Sequence, residues 1–154
     1  MESLVLLVHD SIESVLEGLP PLWRCDRTRP AGATQDRPAA TGPVGAWIDF
    51  YGIVRDSEPT VPDSPSERRI LAIEYEAHAE MAQHQLELLL ERIGTIYPVH
   101  ALLVIHRLGR VPVGEASLLV RVLSGHRGES LRACAELNDE LKKWVPIWKH
   151  PVFA

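Results

Sequence analysis

Lys142 and Lys149 stand seven residues apart in the stretch KKWVPIWKH, with Trp144 and Trp148 beside them and Pro146 between them. Proline disfavours helical geometry in the residue before it, so a helix that carries Lys142 ends at Val145. Beyond that break the chain can fold back and bring both ammonium groups into one pocket. Neighbouring cations and apolar walls disfavour a charged ammonium, and a lysine so tuned can move a proton or act as a nucleophile. Lys142 and Lys143 also have a plainer account. They close a helix, where cations suit the negative end of the dipole, and this account suffices for Lys143.

Two further places offer chemistry for an anion. In SGHRGES, a strand delivers His126 and Arg127 to the start of the last helix. Unpaired N–H groups and partial positive charge there favour a phosphate or carboxylate. In YGIVRD, Arg55 ends a strand and presents a fork of donors, while Gly52 weakens that strand unless something approaches it closely. A polar turn and an ordinary strand-terminal arginine are the structural alternatives. His106 and Arg107, at the entry to a turn rich in glycine and proline, read as structural. His78, His84, His100 and His150 are scattered and carry no assignment.

These residues need elements to hold them. LVLLVHD reads as a buried strand, followed by a short helix that Asp10 or Ser11 caps and that Gly18, Pro20 and Pro21 stop. Residues 24–43, without periodicity and rich in Pro, Gly, Ala and Thr, read as a flexible insert. Val44–Asp56 alternates as a strand, with Trp47, Asp49, Tyr51 and Ile53 on one side and Ile48, Phe50, Gly52 and Val54 on the other. A proline-rich loop follows, then a strand over Arg68–His78. A helix over 79–96 buries Ala82, Leu86, Leu89, Ile93 and Ile96. Val99–Gly109 reads as a strand covered on both faces, RVPVGE as a turn, and Ala116–Ser124 as another strand. The last helix runs from about Gly128 to Trp144 with Leu131, Cys134, Leu137 and Leu141 inward. The order β-α-β-β-α-β-β-α points to an α+β or mixed α/β fold.

The chain has 154 residues, 45% of them hydrophobic and 24% charged, as expected of one soluble domain over 1–154. Its net charge of −5 argues against broad nucleic-acid binding, so any anion site is a local cluster. No apolar run approaches the ~20 residues of a membrane helix, and the N-terminus lacks signal-peptide features. A cytoplasmic protein is the expectation. Cys25 and Cys134 lack a metal-ligand pattern, and Cys134 reads as a small core residue.

Taken together, GAWIDFYGIVRD, IEYEAHAEMA, HRLGRVPVGEASLLVRVLSGHRGES and LKKWVPIWKH resemble the catalytic (large) subunit family of molybdopterin synthase, over roughly Gly45 to His150. The resemblance implies an α/β hammerhead fold, that is, α+β with a mixed sheet and two long helices. It implies a homodimer within a heterotetramer. A small ubiquitin-like subunit binds each end and inserts a C-terminal Gly-Gly thiocarboxylate. Two sulfurs then pass in successive rounds to cyclic pyranopterin monophosphate, forming the molybdopterin dithiolene. Lys142 and Lys149 match the family's pocket lysines, Arg55, His126 and Arg127 its anion-binding residues, and Phe50 a pocket wall. The partner supplies the sulfur, so neither cysteine is needed; no cofactor or metal is expected. Family members continue beyond this point with a tail bearing a Trp and basic residues. An alternative reading is therefore a non-catalytic binding module for a ubiquitin-like tail.

Overall fold

The structure, a computed structural model, describes residues 1–20, 23, 42–59 and 67–154. Most of the expected insert over 24–43 lies outside the described residues, as does Cys25. Among the described residues, eight strands and three helices follow in the order β1 (Glu2–Val8), α1 (Ile12–Gly18), β2 (Ala46–Ile53), β3 (Ser57–Pro59), β4 (Glu67–Ala77), α2 (Ala79–Ile96), β5 (Val99–Arg107), β6 (Gly109–Pro112), β7 (Ala116–Ser124), α3 (Arg127–Trp144) and β8 (Ile147–Phe153).

The first sheet has the order β1-β5-β7-β2 and is mixed: β1 lies parallel to β5, and the other neighbours are antiparallel. Both faces of its central strands are covered, so β5 and β7 read as continuous apolar runs. On one face α2 and α3 enclose Leu86, Leu90, Ile93, Leu102, Val120, Val122 and Leu137. On the other, α1 and Trp23 cover Ala101, Leu103, Ile105, Leu119 and Leu123. The second sheet is built on β4, which pairs with β3, β6 and β8.

Helix α2 has the expected bounds, and α3 starts one residue earlier than expected. Ser11 caps α1, accepting the Ser14 N–H at 3.2 Å. Two inward assignments are corrected. Leu131 is 57% exposed, because the buried stripe of α3 is Ser130, Ala133, Cys134, Leu137 and Leu141. The polar Ser130 can lie inside because its hydroxyl is 2.6 Å from that of Ser124. Ile96 is exposed, and the next residue, Tyr97, packs on the core instead while donating to Glu136 at 2.6 Å. Cys134 is buried and free, as expected.

Three strands went unread in the sequence. β3 is only three residues long, and β6 lies between Gly109 and Pro112, in what reads as a turn. β8 carries Pro151, which punctuates a sequence but is tolerated on a strand paired along one side. Strand β2 is shorter than expected, stopping at Ile53 after an irregularity in register at Gly52/Ile53.

Charge lies inside the first sheet. Asp49 of β2 and Arg121 of β7 are direct cross-strand partners, and both side chains are 3% exposed. The guanidinium donates through Nε to Oδ1 at 2.7 Å and through Nη2 to Oδ2 at 2.8 Å. Its Nη1 donates to the Trp23 carbonyl, the Trp47 ring lies 4.8 Å from its Cζ, and Trp47 Nε1 donates to Asp49 at 3.0 Å. A second buried arginine, Arg107, donates to Glu115 at 2.6 Å, which accounts structurally for that His-Arg pair.

The sheets meet at Tyr75. Its ring stands edge-on to His106, centroids 5.2 Å apart, and its hydroxyl donates to Ser117 Oγ at 3.0 Å. Burial pushes the His106 pKa down, opposed by its bond to the Arg107 carbonyl. A carbonyl only accepts, so Nδ1 carries the proton, 2.8 Å from that oxygen.

Two outcomes are expected. Asp49→Ala leaves Arg121 buried and unpaired and costs about 3–5 kcal/mol in denaturant unfolding; replacing both partners by leucine recovers part of the loss. The folded His106 binds its proton less readily than the unfolded chain, so its contribution to stability is present above the ordinary value of 6.5 and is lost as pH falls below it. His106→Phe should therefore flatten the acid side of the stability–pH curve, by at most about 1.4 kcal/mol per pH unit.

Candidate active site

Strand register decides where each candidate residue stands. β2 begins with Ala46 opposite Ser124 and ends with Ile53 opposite Ala116. Arg55 follows its far end, where the Val54 N–H donates to the Glu115 carbonyl at 3.0 Å. His126 and Arg127 follow the other end of β7. With ~3.3 Å per residue, eight residues of strand separate Arg55 from the His126–Arg127 turn by about 25 Å. Within one copy the chain does not bring these three residues together.

The His126 turn is tightly built. The Gly45 N–H donates to the Ser124 carbonyl at 2.9 Å, and a side chain at Gly45 would place its Cβ 2.3 Å from the Gly125 carbonyl oxygen. Only glycine fits that approach. Ser124 Oγ donates to the His126 carbonyl at 2.7 Å, and the His126 N–H donates to the Glu129 carboxylate at 3.3 Å. The His126 and Arg127 side chains remain exposed at the N-terminus of α3.

Helix α3 then runs back along the sheet. Its 18 residues rise about 27 Å, and Leu141 and Val145 join the cluster that contains Leu118, the cross-strand partner of Gly52. Starting beside the Ser124 end of β7 and running back over a strand's length, α3 carries Lys142 toward the end that holds Arg55. Lys143 is held in a surface network: its ammonium donates to Glu140 at 3.1 Å, and Trp144 Nε1 and Arg92 donate to the same carboxylate at 2.9 and 3.0 Å. The Lys143 bond heads the causes that hold the Glu140 pKa down.

After Pro146 the chain does fold back, but as strand β8 rather than a turn. Lys149 is the cross-strand partner of Tyr75. Directly opposed residues share a sheet face, so Lys149 lies on the face of Tyr75, with Ile147 and Pro151 to either side. Tyr75 bonds to Ser117, whose Oγ donates to the Gly52 carbonyl at 3.3 Å. Lys149 therefore also belongs to the Arg55 end. Phe50 is 42% exposed on β2, and its ring edge comes within 3.9 Å of where a Gly52 Cβ would stand; Leu118 Cβ would be 3.2 Å away. A side chain at that position would press on Leu118 by a few tenths of an ångström.

Arg55, Lys142 and Lys149 thus lie toward one end of the first sheet and are exposed, while Phe50, opposite Val120, stands five residues back along β2, about 16 Å from Arg55. This is two cations on the second sheet and α3, one arginine beyond β2, and an aromatic wall. Such a set can bind an anion and supply a proton donor. Sequence reasoning missed Tyr75 and Ser117, which join β8 to β7 and β2. The signal was a lone hydroxyl inside the apolar run of β7. It missed Arg121 as well, a lone cation in the same run. Among the described residues no three His, Cys, Asp or Glu side chains gather as a metal would require, and no helix is long and apolar enough to cross a membrane.

The family description "MoaE protein" matches residues 28–144. The molybdopterin synthase catalytic subunit of Oryza sativa subsp. indica is 39% identical over 102 residues, 66% of this chain and 53% of that protein. The one from Thermoplasma volcanium is 32% identical over 146 residues, 95% of this chain and 93% of that protein. The chain spans about half the length of the plant relatives it matches. Among solved structures, molybdopterin synthase from Staphylococcus aureus superposes with a TM-score of 0.68 at 22% identity, covering 97% of this chain and 90% of that one. A complex of subunits 1 and 2 of molybdopterin-converting factor from Helicobacter pylori gives 0.63 at 20% identity, covering 97% and 89%. At these identities the likeness speaks for the fold, an α+β architecture shared with those proteins. Matched by the family description over most of its length and by an archaeal relative over nearly all of it, this chain belongs to the MoaE protein family, that of the molybdopterin synthase catalytic subunits.

Proposed function

We propose that this chain transfers sulfur from the C-terminal thiocarboxylate of a small ubiquitin-like subunit to cyclic pyranopterin monophosphate, forming the dithiolene of molybdopterin. The observation that carries the reading is the placement of Lys142, Lys149 and Arg55 toward one end of the first sheet, with Phe50 exposed farther back on β2, in a chain whose net charge is −5. Substrate phosphate and thiocarboxylate are both anions, and this end supplies local cations for them. The Helicobacter pylori complex supports a two-subunit assembly, since it joins two subunits of a molybdopterin-converting factor.

In this mechanism the thiocarboxylate sulfur forms a C–S bond with a pterin side-chain carbon as that carbon's bond to oxygen breaks, the oxygen leaving as water or staying on the phosphate. Hydrolysis of the acyl–sulfur bond then leaves the carrier with an ordinary carboxylate, its new oxygen coming from water. A second carrier repeats the cycle for the second sulfur. Lys142 is the acid/base or electrostatic catalyst beside the thiocarboxylate. Lys149 orients the tail and stabilises charge that develops as sulfur attacks. Neither cysteine takes part.

His126 and Arg127 act on the phosphate together with Arg55. Because one copy holds them about 25 Å from Arg55, the phosphate site is shared between two copies of a homodimer. Arg55 comes from one copy, and His126 and Arg127 come from the other.

Reconstitution with thiocarboxylated small subunit and cyclic pyranopterin monophosphate tests the activity. Lys142→Ala should lower dithiolene formation by on the order of a hundredfold or more with an unchanged melting temperature. Small-subunit binding without any product from the wild type would instead identify a binding module. Co-expression tests the shared site. Arg55→Ala and Arg127→Ala should each be nearly inactive alone. Mixed dimers carry one intact site in two, and half of random dimers are mixed, so the mixture should recover about a quarter of wild-type activity. No recovery would place all three residues in one copy's site.

A further inference from the structure

Lys149 sits on a short strand that pairs with β4 rather than with a strand of the first sheet, yet its proposed role needs a fixed distance to the other cations. The link is Tyr75. It is the cross-strand partner of Lys149, and the two side chains share a sheet face. Its hydroxyl donates to Ser117 Oγ at 3.0 Å, and Ser117 Oγ donates in turn to the Gly52 carbonyl at 3.3 Å. Each hydroxyl proton is used once, so the chain of bonds has one direction. It runs from β4 through β7 to β2, and ends at the glycine that lies between Phe50 and Arg55. The ring is braced by the edge contact with His106, which is 5% exposed.

We propose that Tyr75 is a positioning residue for Lys149: through Ser117 and the Gly52 carbonyl it fixes the strand that carries this lysine relative to the Phe50–Arg55 wall. The proposal rests on the sulfur-transfer reading above for its kinetic consequence, but not for its structural one. Tyr75 acts through Lys149 and is assigned no contact of its own with substrate or carrier. A misplacement of about 1 Å in a catalytic group can cost as much as a hundredfold in rate, and a two-step hydrogen-bond chain is the kind of support that prevents it.

The experiment uses Tyr75→Phe, which keeps the ring and its contact with His106 and removes only the hydroxyl. The full-length variant should fold and melt cooperatively. Its kcat for dithiolene formation should fall by on the order of ten- to a hundredfold, while KM for cyclic pyranopterin monophosphate stays within about twofold. Ser117→Ala should show the same split, Ser117→Thr should retain most activity, and the double variant should be no slower than the slower single one, since one chain of bonds is broken only once. An unchanged kcat in Tyr75→Phe, or losses that multiply in the double variant, would overturn the proposal. A second readout needs no turnover. Acylation of surface amines followed by peptide mass spectrometry should show the Lys149 rate changing severalfold in Tyr75→Phe, measured against Lys143 in the same sample. An equal Lys149 rate in both proteins would overturn it as well. A wild type that makes no dithiolene refutes the sulfur-transfer reading, and the acylation rates then still decide the positioning role.

Discussion

The buried pair between Asp49 and Arg121 sets the frame for everything that surrounds the candidate site. The two residues are direct cross-strand partners at the middle of β2 and β7, closed off by Trp47 and the Trp23 carbonyl. A slip of one residue in this register would send the charges to opposite faces of the sheet and leave both buried without a partner. The register is therefore strongly specified. With it come the positions of everything attached to the ends of the two strands. Arg55 leaves one end and the His126–Arg127 turn leaves the other, and no side-chain rotation can bridge the length of a strand.

The remaining distances follow from elements of matched length. Helix α3 returns along the sheet over nearly the distance that the strands span, so a cation at its C-terminus arrives beside the end of β2. Strand β8 then pairs with β4 rather than with the first sheet. Its lysine is placed near the same region by the contacts that join the sheets, Tyr75 with Ser117 and Ile147 on the core among them. The site is thus composed from three separate supports, and its geometry is only as firm as the joints between them. That division also accounts for the burial pattern. The joints are buried or half-buried, whereas Lys142, Lys149 and Arg55 face solvent.

Much of this was legible in the amino-acid order. Helix α2 and strand β7 can be read to the residue, because local periodicity and terminal signals set their bounds. The candidate lysines, arginines and His126 stand out by type and spacing, and the family resemblance rests on contiguous motifs. Pro146 marks where the chain must turn back. Strands β3, β6 and β8 were not legible. They are short or punctuated by proline, and they exist because β4 offers hydrogen-bonding edges that no local signal announces. Leu131 was misassigned for a related reason: Ser130 takes the inward place only because Ser124, on another element, accepts its hydroxyl.

The sequence by itself determined which functional groups are present and roughly which secondary elements carry them, since these depend on neighbours within a few positions along the chain. Tertiary structure alone decided which groups meet. It separated Arg55 from His126 and Arg127, residues that composition would place in one basic cluster. It set Lys149 across from Tyr75 and paired Asp49 with Arg121. Each of these outcomes rests on strand register between distant segments, a relation fixed by core packing and buried polar satisfaction rather than by any local pattern.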